Sequence, residues 1–279
     1  MTTAQLETST TATPLATKVV QPRPHVGTRA TVEQTFSMAW RALMKMRRNP
    51  EQLVDVMVLP IVFTVMFTYV FGGAVSGSVG RYLPLIIPGI LAQTVLTACV
   101  ATGTQLREDM DKGVFDRFRS LPIARIAPLA GPMVADLVRY LIASTLTVLV
   151  GLVMGYRPGG GVFGVLAAVL LLVITGWSMA WVFTWVGTVM KSAQSVQGTS
   201  MMIMFPLTFL SNAFVPAGSM PGWLRAFVDV NPVSHVVTAA RDLMNDGSVT
   251  PEVGWALLGC AAVIAIFAPL SVRSYRRKL

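Results

Sequence analysis

Apolar runs of membrane-crossing length recur along this sequence, and they constrain its fold more than any other feature. Crossing the hydrocarbon core of a bilayer takes about 20 predominantly apolar residues in a helix. Runs near that length lie at Leu53–Phe71, Pro84–Thr104, Pro128–Tyr156, Val162–Met190, Thr199–Pro216 and Glu252–Val272. The third and fourth are long enough to tilt or to protrude into water. Composition agrees: 53% of the 279 residues are apolar and 13% are charged, so a soluble fold would need several very large cores. The predicted class is all-α, a polytopic membrane protein with six transmembrane helices.

Basic residues orient those crossings. Lys18, Arg23, Arg29, Arg41, Lys45, Arg47 and Arg48 precede the first run, a charged stretch after the second holds five more, and Lys191, Arg273, Arg276, Arg277 and Lys278 fall on the same side. The other side carries Arg81, Arg157, Arg225 and Arg241. By the positive-inside rule both termini are cytoplasmic. The net charge of +9 is therefore read as a cytoplasmic edge rather than as a nucleic-acid surface.

The charged stretch, residues 105–127, reads QLREDMDKGVFDRFRSLPIARIA. No bilayer would accept it. Its interleaved Met110, Val114, Phe115, Phe118, Leu121 and Ile123 exceed what a solvated loop needs and have the spacing of a helix that docks into a partner's groove. In that role Phe115 and Phe118 anchor, the charges around them fix register, and Gly113 allows a tight break before the anchors. Leu121 and Pro122 end the helix.

Residues 1–30, rich in Thr, Ala and Pro, read as a disordered cytoplasmic tail, and no signal peptide is expected because the first long apolar run begins after residue 50. Residues 31–50 read as an amphipathic helix in the membrane interface. Thr31 and Gln34 have capping-box spacing, and Val32, Phe36, Trp40 and Leu43 share a face with Arg41, Lys45 and Arg48 mostly away from it. Residues 51–279 form the six-span domain. Within it, residues 217–250 are too broken by Pro, Gly and Asn to span and too apolar for a free loop. They read as one or two short amphipathic helices divided at Pro232, re-entrant or resting on the outer surface as a lid.

Chemistry is sparse. No GxxxxGK[ST] phosphate loop occurs, so the chain has no nucleotide-binding signature of its own. Cys99 and Cys260 fall within apolar runs without metal-ligand spacing, and His25 and His235 are isolated, so neither a metal site nor a catalytic residue is predicted. An intramembrane charge costs roughly 2.5–3.5 kcal/mol and persists for a reason. Asp136 and Arg139, three residues apart in the third run, read as a snorkelling ion pair that orients the helix near the cytoplasmic face, the alternative being a proton relay. Phe63, Phe67, Tyr69, Met201, Met202, Met204, Phe205 and Phe209 are candidate linings for a lipophilic substrate, because Met and aromatic groups repack around varied shapes.

Three blocks carry a resemblance: PEQLVDVMVLPIVFTVMFTYVFGGAV at Pro50–Val75, REDMDKGVFDRFRSLPIARIAPLAG at Arg107–Gly131 and PGWLRAFVDVNPVSH at Pro221–His235. Together they resemble the membrane subunit of an ABC-2 type exporter, more narrowly the daunorubicin/doxorubicin-resistance type of drug permease. The resemblance implies a homodimer of six-span subunits in the bacterial cytoplasmic membrane, driven by two copies of a separate ATPase that binds ATP and Mg. It implies that no cofactor is held by this chain. It also assigns Glu108, Asp109, Lys112, Gly113, Phe115, Arg117, Phe118, Arg119, Leu121 and Pro122 to the ATPase contact, and spans 1 and 5 to the dimer interface. A polysaccharide or lipid exporter shares this architecture. From another class, a membrane-embedded prenyltransferase would use Asp109, Asp111 and Asp116 to hold magnesium diphosphate; the lack of a second acidic cluster in a later loop opposes it.

Overall fold

The computed structural model describes residues 27–48, 50–114 and 127–278. Among these are nine α-helices and no strand: α1 (Thr28–Arg48), α2 (Pro50–Ser76), α3 (Val79–Asp111), α4 (Ala127–Val153), α5 (Gly161–Val189), α6 (Ala193–Phe209), α7 (Gly222–Val230), α8 (Pro232–Asn245) and α9 (Pro251–Lys278). Helix α1 takes in the interfacial stretch, with Thr31 inside its first turn, where the hydroxyl donates back to the Gly27 carbonyl.

Helix α3 is the axis of the bundle. Its sequence is apolar on every side from Tyr82 to Val100, and Tyr82, Ile86, Ile87, Ile90, Leu91 and Cys99 are fully enclosed. Such a helix belongs in an interior. It packs against α2, α4, α5, α6 and α8, while α9 lies outside against α5 and α8 with Trp255, Leu258 and Ile266 turned outward. Glycines let the axes approach: a Cβ on Gly187 of α5 would come within 2.5 Å of the Gly103 carbonyl of α3. Close backbone approach of this kind is how membrane helices pack without a hydrophobic driving force between them.

Five helices among the described residues are long and apolar enough to cross a membrane: α2 from Val58, α3, α4, α5 and α9. Six were expected, and five of them are continuous helices of that length. The predicted fifth span, Thr199–Pro216, is not a continuous helix. Helix α6 starts at Ala193, where the Ser192 hydroxyl caps it by accepting from the Ser195 N–H, and stops at Phe209. Its 17 residues rise about 26 Å, short of a full crossing.

The chain from Leu210 to Pro216 is irregular, and side chains from the surrounding helices satisfy several of its carbonyls. Tyr82 donates to the Phe214 carbonyl at 2.7 Å, Arg241 to the Asn212 carbonyl at 2.9 Å, and Asn231 to the carbonyls of Leu207 and Leu210 at 2.8 and 2.9 Å. A Cβ on Gly89 would lie 2.0 Å from the Ala213 carbonyl oxygen, so only glycine lets α3 pass this segment. Pro88 has no N–H to give the Pro84 carbonyl one turn earlier. That carbonyl instead accepts from Asn245 at 2.9 Å.

The segment before α9 breaks into two helices at Pro232, as expected. Asn231 caps α8 through its side-chain oxygen, which accepts from the Val233 N–H. The two helices differ, however: α7 is exposed at Trp223 and Val230, whereas α8 buries Val233, Val236, Val237, Ala240, Leu243 and Met244 in the core. Helix α8 therefore does not rest on a surface. Its last turn seats on the glycine-rich α4–α5 turn, where Gly160 donates to the Met244 carbonyl and Gly164 leaves room for the Leu243 carbonyl. The Tyr156 phenol in that turn donates to Asn245 at 2.7 Å, and burial, reinforced by the charge of Asp246, pushes its pKa up to about 12.

Candidate functional site: a coupling end and an aromatic face

Helix α1 lies along α4, and the contact needs Gly131, where a Cβ would meet the Met38 Cβ at 2.4 Å. Ala39 is buried beneath it, while Val32, Phe36 and Trp40, the last 64% exposed, point away from the bundle. An apolar row left outside a packed helix suits lipid at the level of the headgroups. Arg41 and Arg48 are exposed. Lys45 is not turned away: its Nζ pairs with Asp109 of α3 at 3.0 Å. Met38, Arg41, Lys45, Leu106, Asp109 and Pro132 line a small cavity where α1, α3 and α4 meet.

Helix α3 runs on past the apolar interior into the charged stretch. Its last turns are laced by Arg107–Asp111 and Lys112–Glu108 pairs at four-residue spacing. Gly113 then adopts φ +65°, the left-handed turn that ends the helix and that favours glycine. Of the residues assigned to the ATPase contact, Glu108, Asp109, Lys112 and Gly113 therefore share the end of α3, beside α1. Phe115, Arg117, Phe118, Arg119, Leu121 and Pro122 lie outside the described residues. Asp109 and Asp111 are ion-paired to Lys45 and Arg107. Asp116, the third carboxylate of the prenyltransferase alternative, lies outside the described residues.

Asp136 and Arg139 form a salt bridge on α4, at 4% and 7% exposure. They face the bundle interior, where the Thr102 hydroxyl of α3 donates to the second Asp136 oxygen at 2.5 Å. Both side chains are enclosed by protein.

The aromatic residues form a ladder. Phe63, Phe67 and Phe71 stack along α2 at 5.6 and 5.3 Å between ring centroids, and Phe205 and Phe209 stack on α6 at 4.3 Å. Phe214, in the irregular segment, joins the two sets at 4.7 Å from Phe67 and 5.2 Å from Phe209. Tyr69, Met202 and Phe205 are exposed, with Met201 and Phe209 at the edge. Met204 is not part of the exposed face; it is buried toward the core. Two members were missed from sequence. Phe71 continues the four-residue spacing of Phe63 and Phe67 and was legible; Phe214 was not, because it depends on the break after α6.

The sequence pattern of the ABC-2 type transporter family matches residues 33–245, from α1 through α8. The chain belongs to that family. It is 43% identical over 247 residues to the daunorubicin resistance ABC transporter permease protein DrrB1 of Streptomyces coeruleorubidus, covering 88% of this chain and 87% of that protein. It is 27% identical over 250 residues to the probable doxorubicin resistance ABC transporter permease protein DrrC of Mycobacterium tuberculosis, covering 88% and 89%. A putative transport permease, ycf38 of Porphyra purpurea, is 23% identical over 265 residues. As an ABC-2 permease without a nucleotide-binding motif, the chain implies a partner ATPase. The charged end of α3, the buried ion pair and the aromatic ladder all fall within the family match.

Proposed function

We propose that this permease is one half of a homodimeric exporter that moves lipophilic, planar drugs out of a bacterial cell, powered by two copies of a separate ATPase docked at the basic end. The carrying observation is the aromatic ladder. Its exposed rings and methionines face away from the bundle, where a flat apolar molecule stacks and a hydrated polysaccharide does not. The names of the two bacterial relatives point to the same substrate class.

In this reading the basic end is cytoplasmic, both termini lie there, and the bilayer is the cytoplasmic membrane. Helix α6 with residues 210–216 completes a sixth crossing, several carbonyls of the irregular part being held by side chains, and α7–α8 is re-entrant from the outer side. Phe115 and Phe118 anchor the ATPase, with Glu108, Asp109, Lys112, Arg117 and Arg119 fixing register. ATP and Mg stay on the partner.

Affinity purification from the native membrane tests this. Wild type should bring down an ATP-binding subunit whose turnover rises with doxorubicin, and Phe115→Ala and Arg119→Glu should lose that subunit while still inserting. Recovery of the same subunit with both variants would move the contact elsewhere, and its absence from wild type would refute the exporter.

A further inference from the structure

Arg107 is absent from the predicted ATPase contact, and the structure turns it inward. Its side chain is 16% exposed at the end of α3. One guanidinium nitrogen donates to the Met190 carbonyl at 3.0 Å and the other pairs with Asp111 on the next turn. Met190 ends α5 in an extended conformation, ψ 158°, and only Lys191 and Ser192 follow before α6 begins. A connection so short makes the position of the Met190 carbonyl the position of the α6 N-terminus. The Ser192 hydroxyl then caps α6.

The register of this contact is fixed one turn deeper in the bundle. Gly103 lies one turn before Arg107 on the same face of α3, and its carbonyl abuts Gly187, one turn before Met190 on α5. A second bond runs directly from α3 to α6, Thr104 donating to Gln197 at 3.1 Å. Beyond Gln197 on the same helix stand Met202, Phe205 and Phe209.

We propose that Arg107 is a positioning residue that relays movement of the ATPase-contact segment after Gly113 to the substrate-facing helix α6; this rests on the exporter reading above. That segment follows α3 in the sequence, a few residues beyond Arg107. Displacing it moves Arg107, which pulls the α5–α6 turn through Met190 and carries α6 with its aromatic face. The chemistry calls for arginine: a planar fork serves two acceptors in fixed directions, whereas lysine offers a single centre. The positive charge also complements the carbonyl end of α5.

The test uses full-length Arg107→Lys and Arg107→Gln with the partner ATPase in native membranes, reading four quantities: membrane abundance, ATPase recovered, the doxorubicin-stimulated part of ATP turnover, and doxorubicin export. Abundance and recovered ATPase should stay within about twofold of wild type, while stimulation and export fall about tenfold or more in Arg107→Gln, the size expected when a charge-assisted hydrogen bond is lost. Arg107→Lys, keeping the charge and one bond, should fall in between. Export at the wild-type level in both variants overturns the relay and leaves the exporter reading standing. A parallel fall of abundance, ATPase recovery and export overturns it too, because it marks a merely structural arginine. Absence of an ATPase from wild type overturns the exporter reading and the relay together.

Discussion

Asp136 and Arg139 illustrate what a charge inside the bundle requires. Each is enclosed, each neutralises the other, and Thr102 takes the carboxylate oxygen that Arg139 leaves. Removing one partner strands the other in a medium that cannot solvate it, at a cost of about 3–5 kcal/mol, whereas replacing both with apolar groups of similar size is close to neutral. Asp136→Asn and Arg139→Gln are therefore expected to lower the thermal midpoint of the detergent-purified protein clearly, and Asp136→Leu combined with Arg139→Met to lower it less than either. Equal losses in all three would show that the pair is not the stabilising unit. The pairing was legible from a three-residue spacing on one helical face. Its depth was not, since that depends on α3 supplying Thr102 from 34 residues away. Lys45 gives the same lesson. It reads as a solvated face of an interfacial helix, and its partner Asp109 sits in a distant stretch that only the fold brings near.

Among the helices, the clearest mismatch between sequence and structure is α6. Residues 199–216 have enough apolar side chains to read as one span, and hydropathy cannot register that the helix stops at Phe209. What decides the stop is Asn231, which takes two carbonyls at the end of α6 with its amide nitrogen and caps α8 with its oxygen. One buried side chain thus ends one helix and starts another. Replacement by Ala removes an N-cap worth about 1 kcal/mol and leaves buried carbonyls unpaired at about 1–3 kcal/mol each. Asn231→Ala should lower the thermal midpoint and speed proteolysis between residues 210 and 220, while Asn231→Asp, which keeps the cap but not the donor, should recover only part of the loss. Unchanged cleavage in both would mean that the segment is held by Tyr82 and Arg241 alone. The break at Pro232, by contrast, was legible, because proline cannot continue a helix and Asn before it is a favoured cap. That α8 would be buried and α7 exposed was less legible, because both are amphipathic and the difference lies in the glycine-rich turn beneath α8.

At the scale of the whole molecule, two outward faces compete for the second copy in the proposed homodimer. One is the ladder side, with Met202 at 79% exposure beside Phe205 and Phe209, three and seven residues further along the same helical face. The other is α9, where Leu258 is 61% exposed. Exposure alone does not separate a dimer interface from a lipid-facing surface, since both are apolar in a membrane. Composition does. The α9 face is largely aliphatic, as lipid contact asks, while the ladder side concentrates aromatic rings, methionines and, nearer the basic end, Gln194 and Gln197. Polar amides that would be costly against hydrocarbon are tolerated against protein or a hydrated path. Both native cysteines are buried, which keeps the background of oxidative cross-linking low. Met202→Cys should therefore form a disulfide-linked dimer in native membranes under mild oxidation, and Leu258→Cys should remain monomeric on the same gel. Doxorubicin added before the oxidant should slow the Met202→Cys cross-link if the path runs between the two ladders. The reverse pattern, with Leu258→Cys cross-linked and Met202→Cys not, would place the partner on α9 and leave the aromatic ladder facing lipid.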